Sequence, residues 1–167
     1  MRLAELLNKR ISDIIKIGFT TLENGYAHMS FLDRYLFIEL DSVILKLTSV
    51  DQYSQLEFEI TPEITFDIEL DDDLTPGKAS VATIILTDNM ADNRIDTIEL
   101  FYCGDKTDSK TTCHAISIYL ACGQEIFIDP TYYFGLNIGG KEQKEKWLLN
   151  LPNGAENVTS EVINLIF

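Results

Sequence analysis

Two histidines and three cysteines are the side chains of this chain most often used in acid–base and nucleophilic chemistry. His28 is isolated in the sequence, whereas Cys113 and His114 are adjacent in a predicted strand. Neighbouring side chains of a strand point to opposite faces, so these two cannot form a nucleophile and base pair with each other. Cys103 is a possible partner for His114 across two strands, although free cysteines are more often small buried hydrophobes.

A ligand-binding cleft is a second chemical hypothesis. Asp129-Pro130 is followed closely by Tyr132, Tyr133 and Phe134. Aromatic rings beside a carboxylate are common in ligand pockets, but Asp-Pro is also a usual strand-ending turn, with the rings covering the core. The alternative function is therefore a small enzyme or ligand-binding domain with a cleft near residues 103–134.

Short sequence motifs of catalysis and cofactor binding are absent. The chain has no GxSxG, HExxH, P-loop, GxGxxG or CxxC motif. Cys103, Cys113 and Cys122 are ten and nine residues apart, which matches no zinc knuckle. The consecutive aspartates 71–73 lack the alternate ligand spacing of a calcium loop. We therefore expect no bound metal and no cofactor.

The elements that position these residues follow from the hydrophobic pattern. The first residues predict an amphipathic N-terminal helix, which Gly18 would end. From about Arg34 the apolar period changes to two, which is typical of antiparallel strands with one buried face. The helix would bury Leu3, Leu6, Leu7, Ile11, Ile14 and Ile15, and the predicted strands lie within residues 36–40, 43–47, 56–60, 64–70, 82–86, 98–102, 116–120 and 126–128.

The C-terminal part returns to a helical pattern. Residues 141–149 predict a short helix with Lys141/Glu145 and Glu142/Lys146 pairs, docked through Trp147. The tail, 158–167, fits a helix or a last strand. The chain is thus predicted to be a single α+β domain over residues 1–167: mainly an antiparallel β-sheet meander of six to eight strands, with an N-terminal helix and one or two C-terminal helices.

Charge is distributed unevenly along this chain, whose formal net charge is −14. Between Lys46 and Lys78 there are nine acidic residues and no basic one. Strand parity sends five of the carboxylates to the solvent face, and Pro62 predicts a bend in one long strand at a sheet edge. The candidate partner-binding residues are Glu57, Glu59, Glu63, Asp67, Glu69, Asp71, Asp72 and Asp73.

This acidic stripe has two interpretations. Charged side chains on an edge strand prevent aggregation and keep a protein soluble. Mixed charges would serve that purpose with less repulsion, whereas an unmixed negative field steers a basic partner to rapid association. The sequence therefore favours a basic protein as partner, with Tyr53 and Tyr132 as candidate anchors. Nucleic acid is disfavoured because phosphate binding needs a basic stripe.

The whole profile, with the strand, turn, strand and Asp-Pro-aromatic segment at 116–140, resembles immunity proteins of bacterial contact-dependent inhibition and related polymorphic toxin systems. The resemblance implies a non-enzymatic protein that neutralises a cognate basic, nuclease-type toxin domain by binding it. It transfers no site residue, so the acidic stripe alone supplies the candidate site.

Cellular context is the last expectation from the sequence. An odd number of cysteines and no apolar run long enough for a signal peptide or a bilayer span favour a reduced, cytoplasmic protein without membrane contact. A structural or assembly subunit is the remaining alternative, and it would expose an apolar patch of several hundred Å².

Overall fold

A computed structural model describes residues 2–65, 74–104, 111–131, 135–152 and 154–165. Within them the chain forms twelve β-strands, two α-helices and two short 3-10 helices. The strands are β1 (Ile11–Glu23), β2 (Tyr26–Phe31), β3 (Tyr35–Leu40), β4 (Val43–Val50), β5 (Gln55–Thr61), β6 (Thr75–Ser80), β7 (Ile95–Cys103), β8 (Thr112–Cys113), β9 (Ala115–Leu120), β10 (Glu125–Thr131), β11 (Gly135–Gly139) and β12 (Val158–Asn164). The helices are α1 (Ala82–Ile85) and α2 (Lys141–Leu149), and the 3-10 helices are Leu3–Leu6 and Ala155–Asn157.

The strands form two sheets rather than the single meander expected from the sequence. The first sheet contains β1–β6 and β8, the second contains β7 and β9–β12, and all their pairings are antiparallel. A main hydrophobic core joins the inner faces of both sheets. Its residues come from the alternating segments that the sequence predicted, including Leu36, Ile38, Leu45, Leu47, Ile98, Ile116, Ile118 and Ile126. The prediction of mainly antiparallel sheet is thereby confirmed.

The predicted N-terminal helix is wrong beyond its first turn, because β1 begins at Ile11. The pairing of β1 with β3 shifts register between Ile11 and Asp13. This bulge places Ile11 and Ile14 in the main core, three residues apart, while Ile15 packs on the opposite face. A bulged strand that is buried on both faces therefore imitates the spacing of an amphipathic helix.

The end of β1 forms a hairpin arm with β2, defined here as residues 18–31. Its turn is Asn24-Gly25, with φ of 51° and 82° respectively. Positive φ at both positions is the requirement of a type I′ turn, and Asn-Gly is its preferred sequence. Burial falls along this arm, and five of the six residues of β2 are exposed.

The predicted strand 82–86 is wrong, because this segment contains the one-turn helix α1. Ala82 and Leu86 are buried in the main core, whereas Ile84 is 80% exposed. Positions four residues apart share a helix face, so the spacing of Ala82 and Leu86 suits a helix as well as a strand.

Helix α2 occupies Lys141–Leu149, and the tail is the last strand of the second sheet. Helix α2 crosses the outer face of this sheet, where Trp147 packs against Phe101 and Phe127 with ring centroids 5.8 and 5.5 Å apart. Lys141 and Glu145 form the expected pair, with Nζ 3.9 Å from Oε1. Strand β12 pairs with β7 along seven residues and forms one edge of the sheet.

Candidate functional site

Three of the eight predicted partner-binding carboxylates lie in the described part of the chain: Glu57, Glu59 and Glu63. All three are exposed. Glu57 and Glu59 lie on the outer face of β5, because Leu56 and Phe58 occupy the core face. The parity argument is therefore confirmed for these two residues. Asp67, Glu69, Asp71, Asp72 and Asp73 lie outside the described residues, as does most of the predicted strand 64–70.

The acidic surface on β5 is partly compensated by a neighbouring strand. Lys46 of β4 stands directly opposite Glu59, and its Nζ lies 3.7 Å from Oε2 of Glu59. Glu59 keeps 65% of its side chain exposed in this pair, so solvent weakens the attraction. Glu57 is opposite Thr48 and meets no charge there. Residues 47–77 contain no basic residue, but the folded surface that they form includes Lys46 from the neighbouring strand.

The end of β5 differs from the long edge strand proposed from the sequence. The strand ends at Thr61, whose Oγ1 accepts the backbone N–H of Glu63 at 3.1 Å and donates to the Glu63 carbonyl at 2.6 Å. On its free side, β5 pairs with the two-residue strand β8 at Leu56 and Glu57. The edge prediction is therefore wrong for the start of β5, because β8 covers it.

The turn between β4 and β5 is strained and exposes an aromatic ring. Asp51, Gln52 and Tyr53 have φ values of 48°, 55° and 64°. A left-handed conformation costs about 1 to 2 kcal/mol for each residue that is not glycine. Tyr53, one of the two anchors proposed from the sequence, is 38% exposed here, while Tyr132 lies outside the described residues. Strain of this kind is typical of positions where a surface has to present a fixed shape.

Cys103 and His114 are brought together, but through the backbone. The Cys103 N–H donates to Nδ1 of His114 at 3.1 Å, and the His114 N–H donates to the Phe101 carbonyl at 2.7 Å. Accepting this bond requires an unprotonated Nδ1, which fixes the neutral tautomer with its proton on Nε2. Cys113 is buried in β8, so it faces away from solvent as expected.

The pKa shifts of these groups oppose nucleophilic catalysis. Burial raises the pKa of Cys103, and burial raises that of Cys113 to about 12. Burial also lowers the pKa of His114, against a smaller opposing effect of the Asp51 charge. A catalytic thiol needs a lowered pKa and a neighbouring imidazolium, so the arrangement holds both partners neutral.

Asp129 also belongs to the interface between sheet and helix. It is 3% exposed, and its carboxylate accepts from Gln143 Nε2 at 2.9 Å and Asn137 Nδ2 at 3.4 Å. Gln143 belongs to α2 and Asn137 to β11, so these bonds attach the helix and the last hairpin to β10. The cluster Tyr132, Tyr133 and Phe134 lies outside the described residues.

A polar network under α2 was missed by the sequence analysis. Nζ of Lys144 lies 3.3 Å from carboxylate oxygens of both Glu99 and Glu125, and 2.8 Å from the Tyr119 hydroxyl. The Tyr119 hydroxyl also donates to Glu99 at 2.9 Å, and Ser117 donates to Glu125 at 2.7 Å. The ammonium further lies 4.7 Å from the centre of the Phe101 ring, a cation–π distance.

The charges of Lys144 and Glu99 are held in their ordinary ionised forms. Burial acts to lower the pKa of Lys144, but the Tyr119 hydrogen bond and both carboxylates raise it above its usual value. Burial acts to raise the pKa of Glu99, but bonds from Ser160 and Tyr119 and the Lys144 charge hold it below its usual range. A lysine acting as base or nucleophile requires the opposite shift, so this network fits a structural role.

A cleft of about 400 Å³ lies away from residues 103–134, between the start of β1 and α1. Its polar groups already bond to one another. Asp13 Oδ1 accepts from the Ile14 N–H at 2.7 Å and from Ser80 Oγ at 2.5 Å, while the Arg10 guanidinium donates to the Asn89 carbonyl at 3.1 Å. These bonds already use Oδ1 of Asp13 and one nitrogen of Arg10, which leaves fewer lining groups to orient a ligand.

The described ranges contain neither a cluster of metal ligands nor a membrane-spanning helix. No group of three or more His, Cys, Asp or Glu side chains is arranged there to hold a metal ion. None of the helices described is both long enough and apolar enough to cross a bilayer. Comparisons with protein families, with curated proteins and with solved structures found no match to this chain.

Proposed function

We propose that this chain is a non-enzymatic binding protein, and specifically an immunity protein that neutralises a cognate basic, nuclease-type toxin domain in the cytoplasm. The partner docks on the acidic surface around Glu57, Glu59 and Glu63. No nucleic acid, membrane, metal or cofactor takes part. The two exposed carboxylates on the outer face of β5, with that of Glu63 just beyond its end, are the observation that supports this proposal most directly.

Electrostatics supports a basic partner. The chain carries 27 acidic against 13 basic residues, and the three described carboxylates of the stripe point into solvent. A field of one sign accelerates the encounter with an oppositely charged protein and rejects partners of like charge. Glu59 is the only one of the three that has a cation beside it in the described residues, and that ion pair is largely exposed.

The turn next to β5 supports an anchor for this partner. Interface energy concentrates in a few aromatic or arginine side chains within a rim of charges. Tyr53 has the required chemistry, stands a few residues from Glu57, and is carried by three consecutive left-handed residues. A side chain whose backbone is already constrained loses less entropy when it docks.

An enzymatic function has weaker support. The pKa values of Cys103 and His114 are shifted away from the forms that nucleophilic catalysis uses, and the carboxylate of Asp129 is engaged with α2. These residues stabilise the second sheet and its helix, which is a sufficient reason for their presence.

Charge reversal tests the proposal. The variant Glu57→Lys, Glu59→Lys, Glu63→Lys is compared with the matched control Glu142→Lys, Glu145→Lys, Glu156→Lys, which changes net charge equally on exposed residues outside β5. The assay is capture of the basic toxin domain encoded beside this chain, with rates measured by biolayer interferometry, and protection of cells that express the domain. We expect the β5 variant to lose at least tenfold in association rate and to lose protection, while the control keeps most of both.

Folding of each variant is checked by circular dichroism, because Glu59→Lys places two lysines opposite each other. The neutral set Glu57→Gln, Glu59→Gln, Glu63→Gln provides the same comparison without that repulsion. If the folded β5 variant and the control capture the toxin domain equally well, the acidic surface is not the binding site. If no basic toxin domain is encoded beside the gene, the proposed immunity function is refuted.

A further inference from the structure

The edge formed by β2 differs from the other sheet edges in the described residues. β6 carries Pro76 and Lys78, and β12 carries a central Glu161. The N–H of Leu136 in β11 donates to the Asp33 carbonyl at 2.7 Å, and β8 has only two residues. Proline, charge, covering and shortness are the usual means by which proteins prevent strands of different molecules from pairing. β2 is six residues long, its sequence Tyr26–Phe31 includes no proline, lysine, arginine or acid, and no strand in the described part of the chain pairs with its outer side.

The turn determines which backbone groups of β2 face outward. Glu23 and Tyr26 flank the two-residue turn and form its hydrogen-bonded pair. Because bonded and non-bonded pairs alternate in an antiparallel ladder, the N–H and C=O groups of Ala27, Met29 and Phe31 point away from β1. Residues 18–20 of β1 pair with both β2 and β6, so these two strands lie on opposite sides of β1. No strand in the described residues occupies the outer side of β2.

The same residues share an apolar face of the hairpin arm. The pairs Leu22 with Ala27 and Thr20 with Met29 place these side chains on one face, together with Phe31. Leu22 is 75% exposed and Phe31 41% exposed. The outward backbone groups and this apolar face therefore belong to one continuous surface.

We infer that β2 pairs with β2 of a second copy of this chain. The two strands run antiparallel about a two-fold axis at Met29, so that the first sheet of one copy continues into the first sheet of the other. In this register Ala27 faces Phe31 of the other copy, and Met29 faces Met29. A two-fold contact must be complementary to itself, and an uncharged strand meets this condition because it places no like charges opposite each other. A basic partner would find no carboxylate on β2, so this site is separate from the acidic surface on β5.

Salt distinguishes self-pairing from the capture of a basic partner. Two copies with a net charge of −14 repel each other, and this repulsion is screened as the Debye length falls from about 10 Å at 0.1 M to about 3 Å at 1 M salt. Dimerisation through β2 is therefore expected to strengthen with salt. Binding of a basic protein on β5 is expected to weaken under the same change.

The experiment measures sedimentation of the purified full chain up to about 0.1 mM, since a contact below about 1,000 Å² binds weakly. The variants are Met29→Lys and its matched control Met90→Lys, at a methionine that is 88% exposed and far along the chain from β2. We expect a monomer–dimer equilibrium that tightens between about 0.1 and 1 M salt. Met29→Lys should raise the dimer dissociation constant at least tenfold, because two lysines then face each other, and Met90→Lys should leave it unchanged.

Cross-linking provides a second measurement that does not depend on a charged variant. Cys122 is exposed, so the background is Cys122→Ser. Facing residues of a hydrogen-bonded antiparallel pair lie about 5.5 Å apart between Cα atoms, within the range that a disulfide spans. Met29→Cys should form a covalent dimer on mild oxidation, and Met90→Cys should not. A chain that stays monomeric at every salt concentration, or a dimer unaffected by Met29→Lys with no Met29→Cys cross-link, would overturn the inference.

Discussion

Removal of the Lys144 ammonium is the sharpest test of what attaches α2 to the second sheet. The substitution Lys144→Met keeps the length and most of the apolar volume of the side chain, but it removes the charge. Glu99 and Glu125 then lose a cation that lies 3.3 Å from each of them, and Tyr119 loses its 2.8 Å partner. The two partly buried carboxylates then keep only their hydroxyl donors, Tyr119 and Ser117, and have no cation between them.

The expected magnitude follows from burial. Breaking a fully buried ion pair costs about 3 to 5 kcal/mol, whereas an exposed pair contributes about 0.2 to 1 kcal/mol. Here the side chains of Lys144, Glu99 and Glu125 are 20%, 18% and 15% exposed. These values lie near the buried limit with some access of water, so we expect the free energy of unfolding to fall by about 2 to 3 kcal/mol. For a chain of this size that corresponds to a Tm lower by about 5 to 10 °C.

Urea unfolding followed by circular dichroism measures this change, with Lys141→Met as the matched control. Lys141 is on the same helix, but its pair with Glu145 is 3.9 Å long and 80% and 60% exposed, so the control should change stability little. The pKa of Glu99 is below its usual value near 4.5, so the ionised carboxylate stabilises the fold above that pH and this contribution is lost as pH falls through its lowered pKa. The difference between wild type and Lys144→Met should therefore be largest near pH 7 and should close below about pH 4.5.

The reasoning is refuted if Lys144→Met and Lys141→Met unfold at the same urea concentration, or if the difference persists unchanged in acid. Adding Glu99→Gln to Lys144→Met should recover part of the loss, because it removes one of the two repelling charges. The double-mutant cycle of Lys144→Met and Glu99→Gln isolates the interaction energy between Lys144 and Glu99.

Two further predictions concern His114 and the outer face of the second sheet. His114 is held neutral and its pKa is lowered by burial, so wild-type stability should decline as pH falls below about 6.5, and His114→Gln should lack this decline. Urea titrations from pH 7.5 to about 5 measure this decline, and identical pH profiles of the two proteins would contradict the lowered pKa of His114. Phe127 is fully buried under Trp147, so Phe127→Ala should cost about 3 to 5 kcal/mol, whereas Phe31→Ala, at a ring 41% exposed, should cost less than about 1 kcal/mol. Equal losses of stability in these two variants would show that α2 does not seal that face.

The alternating strands were predictable because each has one buried face. Leu36 and Ile38 in β3, and Ile116 and Ile118 in β9, follow the period of two and lie in the main core. The start of β1 was not predictable from periodicity, since its bulge and its second buried face produce a helical spacing at Ile11 and Ile14. Asn24-Gly25 did carry a hairpin signal, and it would have identified the arm.

The sequence predicts the candidate site only where the alternation of side chains along a strand determines which residues are exposed. Parity correctly exposes Glu57 and Glu59, but the cation opposite Glu59 depends on the β4–β5 register, which brings Lys46 to that position. The Lys144 network was beyond the sequence, because its members come from β7, β9, β10 and α2. Their proximity is a property of sheet order and helix docking rather than of any spacing along the chain.

The two sheets are formed mostly by different halves of the chain, and this has a consequence during synthesis. Five of the seven strands of the first sheet are complete at Thr61. The strands β7, β9 and β10, which supply most of the core residues that cover its apolar face, are complete only at Thr131, about 70 residues later. At about 5 to 20 residues per second, the ribosome leaves that face open for roughly 4 to 14 seconds. A nascent chain of this protein is therefore a natural client for chaperones that hold emerging polypeptides, and its yield should respond to translation speed more than that of a meander closed by local contacts.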